Sequence, residues 1–322
     1  RKVMKFCMES LILALEVVFP LLFLMVVGYA MNYFKLCDEN NFEVLNKLVF
    51  KIFLPVLLFY NVYKTDIADA INPPLMLFCV TAVVAVVAVM FVFIPIIEKD
   101  NKKRGVMIQG IFRSNFVLFG LPVTISLLGE AKVGVTSVLI AVVVPLFNVL
   151  AVVCLEFFRG GRFDAKKLLH ILKGIVTNPL IIASTLGVLC LVFNIKFPDF
   201  AMKGVIDISK IATPLALIVL GGTFKFKKIS ANLGRIILVT VFKLVVVPAA
   251  VISIAAFIGY RGAPIVTMLS MFASPAAVSS FTMAQQMEGD GELAGQIVVC
   301  TTVFSIITIF AFVVCLKSLN LF

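Results

Sequence analysis

Residues 113–129, RSNFVLFGLPVTISLLG, decide how the chain is read. They lie inside an apolar run of membrane-spanning length, yet they carry Arg113, Ser114 and Asn115, then Gly120-Leu121-Pro122. Proline lacks an N–H and clashes with the carbonyl one turn back, and glycine before it loosens the backbone, so a break is expected at Gly120–Pro122. In hydrocarbon, freed backbone groups persist only where they are buried in protein or line a cavity. The segment is therefore either a tolerated kink or the wall of a binding site. A second interrupted stretch, residues 271–285, MFASPAAVSSFTMAQ, breaks at Ser274-Pro275 and continues through Ser279, Ser280 and Thr282. Paired interruptions in corresponding halves of a chain point to a transporter site.

Composition sets the class. Of 322 residues, 62% are hydrophobic and 14% charged, with a mean hydropathy of +1.15. No soluble domain of this size hides that much apolar surface, and runs long enough to span a membrane recur throughout. The expectation is a single all-α polytopic membrane domain over 1–322, without a separate soluble domain or a cleavable signal peptide. The net charge of +11 does not point to nucleic acid, because the basic residues sit in short loops between apolar runs. Cys7, Cys37, Cys79, Cys154, Cys190, Cys300 and Cys315 include no CxxC pair and read as small hydrophobes. With His170 as the one histidine, no metal site is expected, and no cofactor.

Ten spans are expected, at about 10–34, 45–63, 73–97, 105–128, 132–158, 167–193, 201–222, 233–258, 263–287 and 292–317. Lys99, Lys102, Lys103 and Arg104, then Arg159, Arg162, Lys166 and Lys167, then Lys225, Lys227, Lys228 and Arg235 fall in loops on one side. The opposing loops carry Lys64, Lys132, Lys196 and Arg261 with few basic companions. The basic side is then cytoplasmic and both termini are outside, in a plasma membrane protein, although Arg1, Lys2 and Lys5 pull the other way. An internal repeat supports this count. Pro20, Gly28, Lys51 and Pro55 recur as Pro179, Gly187, Lys210 and Pro214, each 159 residues later. The unit holds five spans (about 10–158 and 167–317), and an odd number inverts the second copy. The strict offset fades after the second span.

Ionisable groups within spans are functional candidates. Arg113 either snorkels to the basic face, supports the break or holds an anion. Asn115 either binds solute or satisfies freed backbone, and Asn178-Pro179 adds a third interruption. Asp207 and Lys210 read as an ion pair; Lys51, Lys243, Glu16 and Glu156 read as snorkelling or paired. Neither broken segment holds Asp or Glu at its break, which disfavours a dedicated sodium or proton antiporter and favours an anionic solute.

The segments NKLVFKIFLPVLLF (46–59), RSNFVLFGLP (113–122), TNPLIIASTLGVL (177–189) and SPAAVSSFTMAQQMEGDGELAGQIVVCTTVFSI (274–306) resemble the auxin efflux carrier family, over nearly the whole chain. That family includes plant auxin exporters and bacterial permeases for malate- and malonate-like dicarboxylates, and it is related to the bile acid:sodium symporters. The resemblance implies ten helices in two inverted five-helix repeats, with proline-broken helices four and nine crossing. It puts Asn115, Gly120 and Pro122 on the first crossover, Pro275 on the second, and Asn178 beside the substrate. The connection between spans five and six is short, so the regulation carried by the long loop of the large plant exporters is not expected, and auxin is not the expected substrate.

The expected protein is not an enzyme but a secondary transporter of a small mono- or dicarboxylate. Its expected site residues are Arg113, Asn115, Gly120, Pro122, Asn178, Ser274, Pro275 and Ser279. The alternative is a sodium- or proton-coupled symporter of a sterol-like anion. The expected partners are the organic anion, the lipid bilayer and, in a homodimer, a second copy of the chain.

Overall fold

Backbone groups in hydrocarbon find no water, so apolar runs of this kind satisfy themselves as helices. Every regular element among the described residues is helical. The computed structural model describes residues 2–65, 71–130, 133–159 and 165–322. Arg1, Lys132 and Arg162 lie outside the described residues, as do the side chains of Lys2, Lys5, Cys7, Lys166, Lys167, His170 and Lys227.

In chain order the helices are α1 (Lys2–Tyr33), α2 (Glu39–Leu48), α3 (Leu54–Tyr63), α4 (Pro73–Ile97), α5 (Asn101–Phe112), α6 (Leu121–Leu128), α7 (Gly134–Phe158) and α8 (Ala165–Thr177). They continue as α9 (Pro179–Val192), α10 (Asp199–Thr223), α11 (Ile229–Val241), α12 (Val247–Ile258), α13 (Ala263–Phe272), α14 (Val278–Gln286) and α15 (Gly291–Ser318). Single π-helical turns at Val49–Phe53, Phe116–Gly120 and Phe242–Val246 lead into α3, α6 and α12. Asp38, Asn72, Asp100, Asn178 and Asp290 cap helix starts, each accepting from a backbone N–H two or three residues on.

Among the described residues, six helices are long and apolar enough to cross a membrane: Leu15–Tyr33, Pro73–Ile97, Gly134–Phe158, Asp199–Thr223, Ile229–Ile258 and Gly291–Ser318. A seventh candidate, Ile171–Thr177 with Pro179–Val192, bends by 57° at Asn178. The expected spans at 45–63, 105–128 and 263–287 are each built of shorter pieces. Phe257, Phe200 and Ile96 are exposed, as residues facing lipid would be.

The break in the first interrupted segment differs from the expectation. Helix stops at Phe112 and resumes at Phe116, leaving Arg113-Ser114-Asn115 non-helical, whereas Gly120-Leu121-Pro122 stays within helix. Pro122 is tolerated because it falls in the first turn of α6, where a missing N–H costs little. The π turn before it absorbs the misfit. The second break, Ala273–Ala277, contains Ser274 and Pro275 as read from sequence. Pro122→Ala is therefore expected to leave the thermal midpoint of purified protein within a few degrees of the parent, because its helix is already formed. A large drop in the midpoint would return the break to Pro122.

Glycines set the closest helix approaches. A Cβ on Gly28 of α1 would lie 1.9 Å from the Ile218 carbonyl oxygen of α10. One on Gly187 of α9 would lie 3.0 Å from the Phe59 carbonyl oxygen of α3. The pairs α1–α10 and α3–α9 thus pack backbone against backbone, and buried Leu21, Met25, Leu58 and Leu180 fill in around them.

One end of the bundle gathers the basic loops with acidic partners. Lys225 meets Glu39 at 2.7 Å, Lys228 meets Glu292 at 2.7 Å, Arg235 meets Glu98, and Arg159 meets Glu288. The hydrogen bond from Lys225 holds the Glu39 carboxyl below its usual range, and the one to Glu292 raises Lys228. Apart from the one that uses buried Glu98, these pairs are exposed and hold loops in register more than they stabilise the fold. Asp207 and Lys210 also pair, at 3.6 Å, on an exposed face.

Candidate functional site

The two non-helical breaks cross inside the bundle. Asn115 N–H donates to the Pro275 carbonyl at 2.8 Å, and Ala277 N–H donates to the Arg113 carbonyl at 3.3 Å. Ser114 and Ala276 thereby form an isolated antiparallel bridge. Ala276 N–H goes to the Thr301 hydroxyl of α15 at 3.1 Å. Each break satisfies backbone groups that the other frees, which is how extended chain survives at membrane depth. Four helix ends meet here. The helices α5 and α13 end with partial negative charge, and the Phe116 turn and α14 begin with partial positive charge.

A narrow cavity lies against the crossing, lined in its polar part by Asn61, Arg113, Ser114, Asn115, Asn148, Thr213 and Ser279. Arg113 is buried at 3% exposure, so it does not snorkel. Its Nη2 donates to Asn148 Oδ1 at 2.5 Å and its Nη1 lies 2.6 Å from Met283 Sδ. A thioether is a weak acceptor, so a guanidinium with five N–H donors is poorly satisfied. The carboxamide nitrogen of Asn115 is buried and without a partner.

Lys243 departs from the sequence reading. The sequence suggests a snorkelling or paired charge, but Lys243 sits in the Phe242–Val246 π turn at 1% exposure. Its Nζ donates to Ser114 Oγ. Among the described residues neither Arg113 nor Lys243 forms an ion pair. Removing a cation from water costs several kcal/mol, roughly, unless it is compensated. Carbonyls at the end of α5 offset part of the Lys243 charge. The sequence signal was available: Arg113 and Lys243 stand at similar distances from the basic loops in their segments. Asn61 and Asn148 were also missed, because isolated amides in apolar helices read as packing.

Of the expected residues, Arg113, Asn115 and Ser279 line the cavity, and Pro275 closes the crossing through its carbonyl. Gly120, Pro122, Asn178 and Ser274 do not line it. Asn178 caps α9, accepting from Leu180 N–H at 2.9 Å, with its amide nitrogen 4.0 Å from Met287 Sδ. Ser274 donates to the Ser270 carbonyl one turn back. Gly120 lets the π turn meet α13, since a Cβ there would lie 2.6 Å from the Ser270 carbonyl oxygen. Gly120→Ala is accordingly expected to cost about 1–3 kcal/mol by overpacking. The check is the thermal midpoint of purified protein, and an unchanged midpoint would remove Gly120 from the packing of the crossing. Among the described residues no cluster of His, Cys, Asp and Glu suits a metal.

Interrupted helices that cross around a polar cavity within an apolar helical bundle define a class, the membrane transport proteins. Residues 13–313 match the family described as membrane transport protein. The chain belongs to that family, which is the auxin efflux carrier family. An uncharacterized transporter of Methanocaldococcus jannaschii is 25% identical over 302 residues, covering 92% of this chain and 96% of the relative. An uncharacterized transporter of Methanothermobacter thermautotrophicus is 22% identical over 299 residues, covering 91% and 95%. The protein is thus a membrane transporter of this family.

Proposed function

We propose that this transporter is a secondary carrier of a small organic anion, a mono- or dicarboxylate such as malate or malonate, working by alternating access around the crossing. The observation that carries the reading is Arg113, buried on the cavity wall without a carboxylate partner, next to an Asn115 amide without any partner. An arriving carboxylate meets the planar guanidinium fork and takes the free amide hydrogen. The cavity, about 60 Å³, is far below the roughly 300 Å³ at which drug-sized sites begin. That size supports a small solute over a sterol-like one.

In this reading the chain crosses a plasma membrane ten times, as two inverted five-helix repeats. The close approaches support it. Ile218 lies 159 residues after Phe59, so Gly28–Ile218 and Gly187–Phe59 are one contact made twice with the repeats exchanged. Ser114 bridges Ala276, 162 residues on, and this slip of three residues accounts for the fading of the strict offset. Broken segments carried by one bundle would move against the α1–α10 and α3–α9 pairs.

The test is counterflow of labelled malonate in proteoliposomes, with and without a sodium gradient. Saturable, trans-stimulated, sodium-independent flux is expected. Strict sodium dependence would favour the symporter, and no flux with any member of a carboxylate panel would overturn the reading. For orientation, single cysteines at positions 101 and 226 should resist an impermeant thiol reagent outside intact cells, and one at position 194 should react. The opposite pattern would invert the topology.

A further inference from the structure

The crossover cavity does not end at the crossing. Asn61 and Val117, on its wall, also line a second chamber of about 240 Å³, with Lys64, Thr65, Leu121, Gly134 and Ser137 among its other lining residues. This chamber lies at the end of the bundle opposite the basic loops, where α3 finishes and α7 starts. By contrast, the crevice at the basic end shares no lining residue with the crossover cavity, and its charged lining of Glu39, Glu43, Glu292 and Lys225 has an acidic excess. Among the described residues no carboxylate lines either the crossover cavity or the outer chamber. The route that favours an anion therefore leads away from the basic loops.

We propose that Asn61, Lys64, Thr65 and Ser137 form a second anion subsite, which takes the same small carboxylates in the outer chamber before they reach Arg113. This inference rests on the carboxylate-transport reading. Asn61, Lys64 and Thr65 occupy the last turn of α3 and the residues just after it, at the three- and four-residue spacing that gathers side chains on one face. Lys64 has no acidic partner among the described residues and lies 5.0 Å from the Tyr60 ring centroid. Asn61 is 5% exposed, yet its carboxamide makes no hydrogen bond among the described residues. On the wall of both cavities, its amide is free to donate to and accept from a solute there. Thr65 hydroxyl donates to the Asn61 carbonyl at 3.0 Å, fixing the turn that presents the amide. A carboxylate here receives an ammonium, an amide N–H and the Ser137 hydroxyl, and then passes along Asn61, which faces both chambers.

The test uses Ser137→Cys in a background whose native cysteines are replaced, reconstituted in liposomes and labelled with an impermeant maleimide. Thr65→Cys serves as a second reporter should the first fold poorly. Malonate is expected to slow labelling at least threefold, to do so equally with Arg113→Gln, and to lose the effect with Lys64→Gln or Asn61→Ala. Protection that disappears in Arg113→Gln would assign the anion to the crossing alone and overturn the outer subsite, with the transport reading intact. Reporters that never label would overturn the open route. Absent protection alongside normal malonate counterflow would overturn the subsite only, whereas absence of both would overturn the transport reading with it.

Discussion

Arg113→Gln is expected to weaken malonate binding by about thirty- to a hundredfold, the scale of a charge-assisted hydrogen bond of roughly 2–3 kcal/mol. The guanidinium is held between Asn148 and Met283 on the cavity wall, so its position is fixed before the solute arrives. Arg113→Lys keeps the charge but cannot reproduce a planar fork held at two points, and an intermediate loss of about tenfold is expected. Asn115→Ala removes an unpartnered donor and should weaken binding separately, by about 1–2 kcal/mol. Folding is not the expected casualty. Replacing a buried, unpaired cation with a neutral side chain tends to stabilise a protein, so Arg113→Gln should hold or raise the thermal midpoint without ligand. Titration of purified protein with malonate is the measurement. Unchanged affinity in Arg113→Gln, Arg113→Lys and Asn115→Ala would remove the site from the crossing.

Gly28→Ala is expected to be among the most damaging conservative changes, at about 3 kcal/mol or more, the upper range of overpacking. Its added methyl would sit 1.9 Å from a backbone oxygen of Ile218, and backbone cannot swing aside as a side chain can. The α1 and α10 helices would have to separate. Gly187→Ala, at 3.0 Å from the Phe59 carbonyl oxygen, should follow with a smaller loss. Gly234→Ala is the control, because open space surrounds it and alanine suits a helix interior better than glycine. Thermal midpoints of the three variants in one detergent give the comparison. Equal midpoints for Gly28→Ala and Gly234→Ala would mean that α1 and α10 do not pack through that glycine.

Much of the frame was legible from residues alone, because hydropathy and loop charge act locally. The apolar runs required helices, and Ser274-Pro275 marked a break that is present. Gly120-Leu121-Pro122 misled, since proline breaks a helix only where it stands past the first turn. The residue pattern cannot tell a proline that interrupts a helix from one that starts it. The three polar residues before it, Arg113-Ser114-Asn115, carried the true break.

What the sequence by itself determined is a family membrane transporter with two interrupted segments and an arginine beside one of them. Those properties follow from the hydrophobic effect along the chain and from backbone chemistry, which a sequence displays directly. Only the tertiary structure decided which polar groups share a cavity. Asn61, Asn148 and Ser279 come from distant segments, and Lys243 reaches Ser114 across 129 residues. Asn178 stands at a third interruption, yet it spends its carboxamide oxygen on capping α9. A buried amide or cation takes its role from the partners within hydrogen-bond reach, and those are set by helix packing, where glycine contacts bring backbones together.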